Sequence, residues 1–388
     1  MRDSAKALLG GVGAVLLVGS AMFGMLWLIS PLVGGAQGVA IPTLLASFAA
    51  LGLIYGLILT VNAFVRREPM EIWPSPIVVL VVWLAALALG SVILLAPGVL
   101  AGWLFPPMYV LGVALPVTAI LAFAVRRTSV TGRATLLQLV YGGLVATILA
   151  FTIELMLVVV VIIVGFLIAS VSPNWLGLDS LAPTLQSNDP GALVGVLRNP
   201  IILALAFLGL GVAGPIVEEA SKAGSMIFWG GWEPTRNRAL VWGLASGLGF
   251  ALTEGLLNSI LSVGLDATGA VLFVRAGASL MHGMTTAIVG LGWWRTYSTR
   301  RPWPIIGAFI LAVVIHGFWN VAVLSRAALG PAPSAAAPES GPALGVIMGD
   351  LFAASSVILV AAMAFALVRL TRRSEWAAAS ASSAADVG

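Results

Sequence analysis

Ten long apolar stretches alternate with short polar ones along the chain, at roughly 7–34, 38–64, 76–103, 107–125, 136–170, 200–229, 239–264, 269–295, 303–326 and 344–369. Each approaches or exceeds the about 20 apolar residues that an α-helix needs to cross a ~30 Å hydrocarbon layer. Such a layer holds no water to satisfy a bare backbone, so a spanning stretch must be helical. The pattern predicts an all-α protein, a polytopic transmembrane helical bundle of about ten spans. Arg2 and Lys6 precede the first stretch as they would a secretory signal. The run is too long for one and shows no cleavage site, so it reads as a retained helix.

Charge then orients the bundle. With the N-terminus in the cytoplasm, the inner loops and helix ends hold Arg2, Lys6, Arg66, Arg67, Arg126, Arg127, Arg133, Arg236, Arg238, Arg295, Arg300, Arg301, Arg369, Arg372 and Arg373, which is 15 of 19 basic residues. The outer side holds Arg198, Arg275 and Arg326, and Lys222 falls within a span. The positive-inside bias therefore predicts both termini in the cytoplasm, and a multi-pass protein of a bacterial-type plasma membrane.

The expected layout is spans one to four in 1–135, a fifth span with a long external loop in 136–199, a polar-containing core in 200–330, the last span in 331–373 and an Ala/Ser-rich disordered tail in 374–388. At 60% hydrophobic and 9% charged residues, with mean hydropathy +1.08, the chain leaves no room for a large soluble domain. A net charge of +4 and pI near 10.0 would suit nucleic acid. The basic residues flank apolar runs instead, so the expected partners are the bilayer and a membrane protein or peptide, not nucleic acid. The absence of cysteine removes disulfides, thiolate metal sites and cysteine nucleophiles.

Ionisable residues inside spans are costly, about 2.5–3.5 kcal/mol each on insertion scales, so each is a functional candidate. The first five spans hold one clear example, Glu154. Spans six to nine hold Glu218, Glu219, Lys222, Glu254, His282 and His316, with Asn258 and Asn320, and these include both histidines of the chain. Counted inward from the cytoplasmic span ends at 1.5 Å per residue, Glu219, Glu254, His282 and His316 all fall about 15–22 Å deep. The pairs Glu218/Lys222, Glu254/Asn258 and His316/Asn320 are each four apart, so each lies on one helix face. Two adjacent carboxylates in a low dielectric resist ionising together, which leaves one as a proton acceptor.

These residues form ordered motifs. Glu218-Glu219-Ala220-Ser221-Lys222 fits EExxK, Phe250 to Glu254 fits FxxxE, and His316 to Asn320 fits HxxxN, with Arg275 to His282 between the last two. The set resembles the PrsW family of intramembrane proteases, relatives of the CAAX prenyl endopeptidases and the Abi proteins, over about residues 200–330. The resemblance implies glutamate-dependent hydrolysis of a peptide bond in or near a membrane segment, in a substrate such as an anti-sigma factor or a small hydrophobic peptide. By position it makes Glu218 or Glu219 the base and His316 with Asn320 the oxyanion donors. Glu254 stands where the endopeptidases have histidine, which makes His282 the candidate to assist the base.

The residues can supply every role that hydrolysis needs. The catalytic candidates are Glu218, Glu219, Glu254, His282, His316 and Asn320, with Lys222, Asn258 and Arg275 in support. No cofactor is required by them. Zinc is chemically open to Glu218, Glu219, His282 and His316, although the HExxH arrangement is missing. Two other functions fit the same groups: a proton-coupled transporter, against which no inverted repeat is visible, and a non-catalytic membrane scaffold. The bland alternative for each residue is a buried hydrogen-bond partner, and for Glu154, which lies in no motif, a structural or partner-helix role is the expected one.

Overall fold

The computed structural model describes residues 3–33, 38–65, 73–96, 98–128, 130–171, 200–229, 235–259, 268–329 and 344–385. Among them the helices are α1 (Asp3–Val33), α2 (Ala40–Phe64), α3 (Pro76–Ile93), α4 (Gly98–Thr128), α5 (Gly132–Val140), α6 (Thr147–Val171), α7 (Pro200–Leu208), α8 (Gly214–Trp229), α9 (Arg236–Leu257), α10 (Thr268–Thr299), α11 (Trp303–Leu329) and α12 (Leu344–Ala385). A π-helical turn, Tyr141–Ala146, joins α5 to α6, and a second, Gly209–Ala213, joins α7 to α8. Each of these trios is one continuous rod. Ten rods among the described residues are long and apolar enough to cross a membrane, in agreement with the pattern of the sequence.

Boundaries differ at three places. The break between the third and fourth spans falls before Gly98 and not at Pro106-Pro107, which lie inside α4. Proline is tolerated within membrane helices because neighbouring helices re-satisfy the freed backbone groups. The seventh span ends at Leu257, with the Asn258 amide closing onto the Glu254 carbonyl. Helix α12 continues to Ala385, through the stretch where a tail is expected, because alanine is the strongest helix former. The expected external loop, residues 172–199, lies outside the described residues.

Helix α9 runs through the middle of the bundle, and every residue from Ala239 to Thr253 is buried. Its neighbours approach closely because the contact points are glycines. A Cβ at Gly249 would collide with the Leu139 carbonyl of α5, and one at Gly247 with the His282 carbonyl of α10. Small residues at such crossings let backbones meet where lipid supplies no hydrophobic drive for association. Helices of the first half hold α9 from the other side with buried hydroxyls. Tyr55 of α2 donates to the Gly249 carbonyl at 3.1 Å and lies 2.8 Å from the Thr253 hydroxyl, and Tyr109 of α4 donates to the Gly255 carbonyl at 2.9 Å. Outward, long apolar side chains of α1, α3 and α6 stand exposed, as a lipid-facing surface requires.

The glycine crossings predict a sharp contrast. Gly249→Val should cost about 3 kcal/mol or more through overpacking against backbone that cannot yield, whereas Gly307→Ala, which meets nothing within 4 Å, should leave stability unchanged. Thermal unfolding of the two purified variants in detergent checks this, and equal midpoints would contradict the packing described.

Candidate functional site

Four helices bring their polar residues to one place. Helix α8 contributes Glu218, Glu219 and Lys222, α9 contributes Phe250 and Glu254, α10 contributes Arg275, His282, Thr285 and Thr286, and α11 contributes His316. Close backbone contacts fix the two histidines. Gly247 of α9 rests on the His282 carbonyl, and Gly317, next to His316, rests on the Gly211 carbonyl of the second π-helical turn.

At the centre, Lys222 Nζ lies 2.8 Å from Glu219 Oε1, and neither side chain is exposed. The same ammonium is 2.9 Å from His282 Nδ1, 3.4 Å from Glu218 Oε2 and 4.3 Å from the centroid of the Phe250 ring. Glu219 is saturated: its Oε1 also meets His316 Nδ1 at 2.9 Å and the Thr285 hydroxyl at 3.0 Å, and its Oε2 meets the Thr286 hydroxyl at 3.3 Å. Buried charges persist in proteins when paired and hydrogen-bonded in this way.

These contacts fix the histidine protons. An ammonium has donors and no lone pair, so His282 Nδ1 must accept from Lys222, and its proton resides on Nε2. That Nε2 stands 2.9 Å from Glu254 Oε2, close enough for an ion pair but out of line for a hydrogen bond, so Oε2 is buried without a partner. For His316 the carboxylate of Glu219 must accept, so the proton is on Nδ1 and Nε2 carries the lone pair. Each imidazole thus has one nitrogen held by, or set beside, a carboxylate and the other turned toward Glu218. Glu218 Oε2 lies 3.9 Å from His282 Nδ1 and 3.7 Å from His316 Nε2, and it is buried without a hydrogen-bond partner.

That donor set fits a metal ion. One ligand atom each from Glu218, His282 and His316 lies within 4.8 Å of the other two, and two imidazoles plus a carboxylate is a catalytic-zinc composition. Histidines backed by carboxylates are the usual second layer of such centres. The expected fourth ligand, Glu219, instead holds His316 and Lys222.

The other expected residues separate into two places. Glu254, Asn258 and Arg275 form an edge to the cluster, with Arg275 NH1 and Asn258 Nδ2 each 3.0 Å from Glu254 Oε1. The side chains of Glu254 and Arg275 are 32% and 24% exposed against 14% for Glu218, so this edge is the open one. Glu254 stands one turn from the end of α9, and not midway along its span, because the helix ends sooner than its hydropathy suggests. Asn320 points elsewhere: its Nδ2 donates at 2.9 Å to the Leu210 carbonyl in the π-helical turn. Ser221 and Ser279 bond carbonyls one turn back in their own helices.

Three contributors were not singled out in the sequence. Thr285 and Thr286 follow His282 by three and four residues, a spacing that places them on its face. Phe250 occurs in the FxxxE motif, one turn before Glu254, and packs on both Lys222 and the His282 ring, 5.3 Å between centroids. Glu154 also comes near the cluster. A Cβ at Gly214 would sit 3.6 Å from Glu154 Oε1 and 3.9 Å from Glu218 Oε1, and Glu154 Oε1 is buried without a hydrogen bond.

Comparison with curated proteins and with solved structures gives no match. The family model described as PrsW family intramembrane metalloprotease matches residues 131–347, which extends the expected resemblance back to the start of the fifth span and takes in every residue of the cluster. With more than half of its length matched, the chain belongs to the PrsW family of intramembrane metalloproteases and is an intramembrane peptidase.

Proposed function

We propose that this peptidase hydrolyses a peptide bond of a single-span membrane polypeptide at the cluster of Glu218, Glu254, His282 and His316, and that Glu218, His282 and His316 hold a divalent metal ion there. What supports this is one arrangement: two imidazoles, each set against a different carboxylate, turn their lone pairs toward a single unpartnered oxygen of Glu218. The ion would supply Lewis-acid polarisation of the scissile carbonyl and of the attacking water. Glu219 is unsuited to proton transfer because its oxygens are already occupied, so it positions His316 and Lys222.

Glu254 is the carboxylate left for proton work. It stands at the open edge, and Arg275 and Asn258 hold its Oε1 while Oε2 has no hydrogen-bond partner. As the water oxygen bonds to the carbonyl carbon, Glu254 takes the water's proton. As the C–N bond breaks, it returns that proton to the amine nitrogen, so the carboxylate is regenerated. The imidazole N–H of His282, beside Glu254, is placed to donate toward the developing oxyanion. Asn320 supports the backbone of the π-helical turn and through it the start of α8.

In the same proposal both termini face the cytoplasm of a bacterial-type plasma membrane, as the distribution of basic residues favours. Because the chain lacks cysteine, Ser4→Cys and Ser298→Cys should each react with an impermeant thiol reagent only after the inner face is opened. Labelling from outside in intact cells would reverse the orientation.

For the chemistry, cleavage of single-span substrates in liposomes should fall about 10³-fold or more in Glu218→Gln, His282→Ala and His316→Ala, and about 10²–10⁴-fold in Glu254→Gln. Glu254→Gln should retain metal, whereas His316→Ala should lose it. Exhaustive chelation should abolish cleavage and zinc restore it. Full activity after verified metal removal would refute the metal assignment, and undiminished cleavage in all four variants would refute the site.

A further inference from the structure

Lys222 takes no part in the chemistry just described, yet its ammonium sits among the groups that perform it. Its side chain has no solvent exposure, and Nζ contacts Glu219, His282 and Glu218 at 2.8, 2.9 and 3.4 Å, with the Phe250 ring as a lid at 4.3 Å. Two of those three neighbours are donors of the metal site proposed above, on which this inference rests.

The overlap is both chemical and spatial. Nδ1 of a neutral imidazole has a single lone pair, and in the structure it accepts from Lys222. A metal ion needs that same lone pair. Glu218 Oε2 and His282 Nδ1 are 3.9 Å apart, so an ion bonded to both at the about 2.0–2.2 Å of such ligands lies nearly on the line joining them, and within about 3.5 Å of Nζ. An ammonium cannot coordinate, and a cation and a dication at that separation in a nearly dry interior repel strongly. The charge balance permits either occupant: Glu218 and Glu219 together call for positive charge, which the lysine or the ion can provide.

We propose that the Lys222 ammonium and a divalent metal ion are alternative occupants of one pocket walled by Glu218, Glu219, His282 and His316, so that the ion loads only as the lysine side chain leaves His282. Lys222 is then an internal counter-ion that keeps the metal-free site folded and sets how tightly metal is held.

The test measures zinc affinity by competition with a chromophoric chelator, using the full chain in detergent, for wild type, Lys222→Gln, Lys222→Met and Lys222→Arg, each with and without His316→Ala. The neutral variants should bind zinc about tenfold more tightly or better, Lys222→Arg should bind no more tightly than wild type, and His316→Ala should remove the binding in every background. Equal affinity in wild type and the neutral variants, still lost with His316→Ala, would overturn the exclusion while leaving the donor set standing. Zinc binding indifferent to His316→Ala throughout would overturn the donor set and the exclusion together. If the neutral variants are monodisperse only when zinc is present during purification, unlike wild type and Lys222→Arg, the ion has replaced the ammonium as proposed. Aggregation even in zinc would show that it cannot.

Discussion

An ammonium held 2.8 Å from a carboxylate, with neither side chain exposed, is the contact on which the functional half of this bundle depends. Removing one member of such a buried pair costs about 3–5 kcal/mol, because the other is left charged and unpaired. The surrounding polar residues follow from that constraint. Glu219 needs further donors, and His316, Thr285 and Thr286 provide them from two other helices. Lys222 needs a further acceptor and a soft face, which His282 and Phe250 provide. Once these requirements are met, both imidazoles have defined tautomers, and their remaining nitrogens converge on Glu218. The same contacts that keep charge stable inside the bundle therefore orient the groups that do chemistry.

Such a network tolerates little displacement, and the helix crossings restrict it. Apolar side chains facing lipid tails gain little by associating with one another, so position is set by backbone approach and by hydrogen bonds across helices. Glycines on α9 and α11 bring the flanking helices to backbone contact next to His282 and His316. Tyr55, Tyr109 and Thr253 clamp α9 from the side away from the cluster, Thr253 by donating to the Gly143 carbonyl at 2.8 Å. The second and fourth spans, which carry none of the intramembrane motifs, thereby act as a rigid wall behind the helix that presents Glu254.

The class of fold was legible from hydropathy alone, since spanning helices are the only solution for ten apolar runs of this length. Most of the cluster was legible too, because ionisable residues are expensive in an apolar layer and their positions at a common depth on consecutive spans needed a common purpose. What the sequence could not convey was direction. Glu218 and Glu219 are adjacent and chemically identical, yet one is saturated and the other has an unpartnered oxygen, a difference created by threonines 66 and 67 residues away. Asn320 shares a helix face with His316 but reaches Leu210, because a π-helical turn leaves that carbonyl in need of a donor. Glu254 and His282 seemed to compete for one role, whereas they stand in series, carboxylate beside imidazole.

The two π-helical turns carry a consequence for how this chain can change over time. A π turn holds one more residue than the α turn it replaces, and each residue in an α-helix advances the chain by about 100°. The turn at Gly209–Ala213 therefore sets the angular phase of everything after it in the rod, Glu218, Glu219 and Lys222 included. Loss of one residue there would scarcely alter the length of the span or its hydropathy. It would nevertheless swing both carboxylates about a quarter of the way round the helix, away from the imidazoles. Length variation should thus be tolerated between spans and purged within this turn, so an indel of a single residue in 209–213 would mark a homologue that has kept its membrane architecture but given up its reaction.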